Sequence, residues 1–164
     1  MDADGLTLAC ATTAELRAAR RAGRHSALIG LGAANGVPDG PLVSFGLAGS
    51  LRDDLPVGTV LDATRVVAAD GAVLWEGEGL RVPGGQPATI LAAERIVDSA
   101  DERRGAHART GADAVDLESG PLARSGRLRV AERIHRFRAG DEADLHARDE
   151  RLFARSDGLD AVYG

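Results

Sequence analysis

The feature that most constrains this chain runs from Pro41 to Gly58, where the strand formers Leu42, Val43 and Phe45 lead into Gly46 and Gly49, with only Leu47 and Ala48 between. Leu42 to Phe45 is expected to form a buried strand, and nothing between the two glycines after it needs water. Glycine directly after a buried strand lets the backbone turn sharply and lets a flat ligand rest on main-chain amides with no Cβ in the way. Gly46 to Gly49 is therefore expected to floor a binding crevice. A glycine-rich link between two strands would leave the same pattern, and a short glycine motif does not by itself separate the two.

The flanking segments alternate between strand and helix signals. Leu6 to Ala11 is apolar and partly β-branched and reads as a strand. Thr12 or Thr13 then caps a helix over Ala14 to Ala22, with Glu15 in its first turn, where a carboxylate suits the helix dipole. Ser26 to Gly30 is a second strand, followed by a loop marked by Gly30, Gly32 and Gly36. Thr59 to Ala68 and Ala72 to Trp75 form a hairpin about Asp70 and Gly71, and Glu76 to Pro87 is loop. Thr89 to Ala93 is a strand, and Ser99 caps a helix to Thr110 with Glu102 at the capping-box position. Ala112 to Val115 returns to strand, and Ser119, Gly120 and Pro121 open a helix that runs to about Ser125. Leu128 to Phe137 fits a helix face through Val130, Ile134 and Phe137, yet a strand is equally compatible. Asp141 to Arg155, with Leu145, Leu152 and Phe153 at helical spacing, reads as an amphipathic helix. Such alternation predicts a layered α/β fold in one domain over residues 1–164. With only 3% aromatic residues, its core must be built from Ala, Val, Leu and Ile.

Several classes of function are excluded. Every basic residue is arginine, interleaved with acids, and the net charge is −5, which leaves no footprint for nucleic acid. Cys10 is the only cysteine, so neither an internal disulfide nor a thiolate cluster can form. His25, His107, His135 and His146 lack metal-ligand spacing, and no metal or cofactor is expected. No apolar stretch approaches the roughly 18 residues of a membrane span. The first residues, with Asp2 and Asp4, lack the basic and apolar regions of a signal peptide, so a cytoplasmic location is expected.

Two segments carry a resemblance. Ser44 to Gly49 followed by Leu55 to Val60, together with Gly111 to Ser119 and its core Val115-Asp116-Leu117-Glu118-Ser119, resembles the nucleoside phosphorylase superfamily. The likeness is strongest to the nucleosidases that cleave methylthioadenosine and adenosylhomocysteine and to the hopanoid-associated branch. It reaches from about Thr7 to Gly126, with Leu117 in place of the usual methionine. It implies a three-layer α/β/α fold around a mixed central sheet. This sheet is reduced in size, because a helix after the Gly36 loop and an excursion near residues 76–87 are both cut short.

The resemblance also implies a site. Hydrolysis of a purine N-glycosidic bond passes through an oxocarbenium-like sugar, so something must hold the ribose hydroxyls, activate water and protonate the departing base. Glu118 matches the ribose-binding glutamate, although a solvated glutamate in a helical first turn would look alike. Glu15 matches the glutamate that activates water, again at a position common for dipole reasons alone. The acid is assigned to Asp141 within Arg138-Ala139-Gly140-Asp141, with Ser156-Asp157 as the other candidate; Asp141 also suits a helix cap. Gly46, Leu47, Ala48 and Gly49 would bear the nucleoside, with Ile96 and Val97 near the base and Leu117 beneath the sugar. These apolar residues serve a plain core equally well. Leu47 stands where many relatives carry a hydroxyl that binds phosphate, and the Gly30 to Gly36 loop has no arginine. Hydrolysis is thus favoured over phosphorolysis. A non-catalytic nucleoside-binding or dimerising relative is the alternative, and pairing as a homodimer is implied in either case.

Overall fold

The computed structural model describes residues 6–126 and 128–135. Strands β1 (Thr7–Cys10), β2 (Ser26–Leu28), β3 (Leu42–Ser50), β4 (Val60–Val67), β5 (Val73–Glu76), β6 (Gln86–Ala92), β7 (Ala114–Asp116) and β8 (Leu128–His135) form one mixed sheet. Helices α1 (Thr13–Arg21), α2 (Ala100–Thr110) and α3 (Ser119–Arg124) pack on it. The order is β2-β1-β3-β7-β6-β4-β5, and β8 pairs with both β3 and β4. Strands β3, β7, β6, β4 and β8 therefore close into a ring.

Side chains alternate across the strands and sort the helices into layers. Ala9, Val66, Ile90 and Ala114 point into one buried cluster with Leu122 of α3, so α3 lies inside the curled sheet. Their neighbours point outward. Leu8 and Cys10 meet Ala19 of α1, while Val67, Leu91 and Val115 meet Ala106 of α2. The layered α/β/α fold expected from the sequence is what the chain adopts. Ala48, Ala63, Ala88 and Ala114 all join the inner cluster. Leu42, Leu61, Val66 and Ile90 fill the same cluster with larger side chains.

Two expectations are corrected. Gly46 and Gly49 do not follow a strand but lie within one, since β3 runs on to Ser50. Its pairing with β8 along Leu42 to Gly49 keeps it extended. For Leu128 to Phe137 the strand alternative holds over the described residues, because β8 is sandwiched between β3 and β4. Between β2 and β3 the chain makes only a 3-10 turn at Leu31–Ala33, in line with the expected loss of a helix there. Of the capping box at α2, one half forms: Ser99 Oγ accepts from the Glu102 amide, while the Glu102 carboxylate pairs with Arg95 at 2.7 Å.

The loop after β5 is tied down by one side chain. Asp62 of β4 is buried, and its two oxygens accept from the amides of Leu80 at 2.7 Å and Val82 at 3.1 Å. Val82 thereby reaches the cluster under α1. Gly79, at φ +71°, has no room for a Cβ, which would lie 2.8 Å from the Asp62 carboxylate. Asp62→Ala strands two buried donors and frees the loop, so urea unfolding should show a loss of about 3 kcal/mol with the m-value unchanged. Asp62→Asn, keeping one acceptor oxygen, should lose roughly half as much.

Candidate functional site

The site is built by two strands that run toward each other along one edge of β3. β1 pairs with Leu42 to Ser44 in parallel, and β7 pairs with Gly49 and Ser50 antiparallel. At both places β8 occupies the other edge, so β1 and β7 share the same edge. Extending each register by one residue sets Cys10 beside Phe45 and Asp116 beside Ala48. The carboxyl ends of the two strands thus face each other across Gly46 and Leu47. α/β folds put their ligands at such strand ends.

Glu15 reaches this gap from α1. Thr12 caps the helix, with its hydroxyl accepting from the Glu15 amide, and the Thr12 amide returns a bond to Glu15 Oε2 at 2.8 Å. Oε1 accepts from the Leu47 amide at 3.1 Å, and the residue is only 2% exposed. A Cβ on Gly46 would stand 2.7 Å from Oε1. Gly46 is glycine because the Glu15 carboxylate lies against it, a close approach in place of the turn expected from sequence. Burial and then the charge of Glu15 push the neighbouring Cys10 thiol up to about 12, so Cys10 is not a nucleophile.

Glu118 lies two residues past the end of β7. It is buried, with Oε1 accepting from the Gly32 amide at 2.7 Å and Oε2 from the Leu117 amide at 3.3 Å. Burial first, and the nearby Asp116 second, push its carboxyl up to about 7, against the pull of the two amides. The glycine-rich turn at Leu31–Ala33 is thereby fixed over this side chain, with Gly30 and Gly32 at positive φ.

Leu47, Leu117, Ile96 and Val97 are half-buried, and the last two sit in the loop after β6, which is parallel to β7 and ends beside Asp116. Val97 packs on the α2 cluster. Gly49 lies where a Cβ would meet Val115 at 3.2 Å, and Ala48 is fully buried in the inner cluster. Asp141 and Asp157 lie outside the described residues. Sequence reasoning passed over Asp116, buried between Glu118 and the sheet, whose Oδ2 accepts from the amide and hydroxyl of Ser119 at 2.9 and 2.6 Å. Its place one residue before Leu117 was the available signal. Among the described residues no group of His, Cys, Asp and Glu could hold a metal ion. No helix there is long and apolar enough to cross a membrane.

No family model and no curated protein matches the sequence. Solved structures do match. A futalosine hydrolase mutant of Helicobacter pylori is similar at a TM-score of 0.71, with 15% identity over 90% of this chain and 93% of that one. A mutant nucleosidase from the same organism, with 5′-methylthioadenosine in its active site, gives 0.71 at 17% identity over 91% and 93%. The Streptococcus pneumoniae MTA/SAH nucleosidase with 8-aminoadenine gives 0.68 at 13% identity over 96% and 97%. The chain has the fold of these nucleosidases, as its resemblance to the nucleoside phosphorylase superfamily implied.

Proposed function

We propose that this chain is a nucleosidase that hydrolyses the N-glycosidic bond of a purine nucleoside, an adenosine derivative such as methylthioadenosine or adenosylhomocysteine. The observation that supports the proposal is that Glu15 is bound to the Leu47 amide of β3, while β7, which leads to the buried Glu118, meets the same edge of β3 from the opposite direction. In this reading the ribose hydroxyls donate to Glu118, whose oxygens each accept one amide and keep a lone pair for a further donor. Glu15, locked in place by Thr12 and Leu47, takes a proton from water as the water oxygen bonds to C1′. The C1′–N9 electron pair leaves with the purine, which Asp141 protonates. The base rests by Gly46 to Gly49, near Ile96 and Val97, and Leu117 underlies the sugar. A cytoplasmic homodimer is the form proposed for it.

The test is to incubate the purified protein with methylthioadenosine, adenosylhomocysteine, adenosine and inosine, with and without phosphate, and to follow free base by chromatography. Release at a rate indifferent to phosphate is expected; phosphate dependence would make it a phosphorylase. The Gly32 amide on Glu118 favours one second reading, in which the turn occupies the sugar position and the protein only binds nucleoside or serves in a dimer. Saturable nucleoside binding without base release would select it.

A further inference from the structure

The Glu118 carboxylate is useful only if its backbone is held still, and the nearest regular structure is short: α3 has six residues, and Glu118 at its N-cap makes no side-chain capping bond. The step from β7 into α3 is instead closed by a side chain. Asp116 Oδ2 accepts from both the amide and the hydroxyl of Ser119, bracketing Leu117 and Glu118 between the two ends of the clamp. Asp116 is 5% exposed and Ser119 is fully buried, so water does not compete for these bonds. The helix start is also pressed onto the sheet, because a Cβ on Gly120 would lie 3.0 Å from the Ala92 Cβ.

We propose that Asp116 is a positioning residue: by gripping Ser119 it fixes the turn in which Glu118 meets Gly32 and stands ready for sugar hydroxyls. This rests on the ribose-binding role proposed for Glu118. Asp116 acts on Glu118 in a second way, since its charge opposes ionisation of the neighbouring carboxyl. Arg124 of α3 folds its guanidinium back toward Gly120 at the start of the same helix.

Two variants separate the clamp from its charge. Asp116→Asn keeps an oxygen for Ser119 and removes the charge. Ser119→Ala keeps the charge and removes the hydroxyl bond. Carbon-13 NMR of labelled glutamate should show the Glu118 midpoint moving down by about one pH unit in Asp116→Asn and staying in place in Ser119→Ala. In Ser119→Ala the Gly32 amide should exchange with solvent about 10-fold faster, and a bound adenosine analogue should weaken about 10-fold, each a factor of ten from a loosened carboxylate. A Glu118 midpoint and a Gly32 exchange rate that match the unmodified protein in both variants would overturn the proposal. If Asp116→Asn does not fold, Ser119→Ala alone decides. If the unmodified protein releases no base from any nucleoside, the proposed activity fails, while titration and exchange still decide the clamp.

Discussion

Gly46→Ala is expected to slow base release by about 10²–10⁴-fold, as much as Glu15→Gln, although it removes no functional group. The added methyl would lie 2.7 Å from Glu15 Oε1 and 3.1 Å from Cδ. The carboxylate has nowhere to go, because Oε2 is tied to the Thr12 amide and Oε1 to the Leu47 amide. Overpacking of this kind also destabilises by about 1–3 kcal/mol. The two effects are separable by a double variant. Glu15→Ala by itself strands the Thr12 and Leu47 amides, and in that background Gly46→Ala should cost little further stability and no further activity, because the residues couple through direct contact. Thermal unfolding and kcat on each protein check this, and a fully active Gly46→Ala protein would show that β3 does not set the position of Glu15.

Glu118→Gln should abolish sugar recognition and also remove the pH dependence of stability that this residue contributes. The Glu118 carboxyl is raised from 4.5 to about 7 on folding. Between those values the folded state holds a proton that the unfolded state has released, so stability is full below about pH 4.5 and falls as pH rises toward and past 7. The loss amounts to about 3 kcal/mol. Glutamine does not titrate, and its single oxygen leaves one of the Gly32 and Leu117 amides without an acceptor, at about 1 kcal/mol. The variant should therefore be less stable than the parent at pH 5 and more stable at pH 8. Urea unfolding at the two pH values tests the crossing, and parallel curves would show that Glu118 is ionised in the folded protein. A loss of at least 100-fold in kcat/KM is expected at either pH, because an interaction strengthened in the transition state is gone.

What could be seen in the sequence was whatever is encoded locally. Thr12 and Glu15 spell a capping box in four residues, and the helix starts where they put it. Ser99 and Gly111 bound α2 in the same way, the glycine at φ +68°. What escaped depends on partners far along the chain. Gly46 reads as a turn because glycine is permissive; pairing with β8 keeps it in a strand, and the Glu15 carboxylate packed against it is why it is glycine. Leu128 to Phe137 suits helix and strand alike, and the choice is made by β3 and β4 on either side. Asp62 carries no local mark of its grip on Leu80 and Val82, eighteen and twenty residues away. Glu118 and its serine could be picked out by their neighbours in the chain, but their depth could not. A glutamate that reads as solvated is 8% exposed because the turn at Gly32 comes back over it.

Closure of the strand ring has a consequence for how this protein is made. β3 and β4 each depend on β8 for one flank, so during synthesis both wait with open flanks until residues 128–135 have left the ribosome. Pairing across such a long sequence interval is slow, because the intervening loop entropy is lost before the contacts form. A chain stopped short of Leu128 would present the bare side of Leu42 to Gly49 to other chains, a template for aggregation. The finished ring removes it, and among the described residues only the short outer strands β2 and β5 still have a free side.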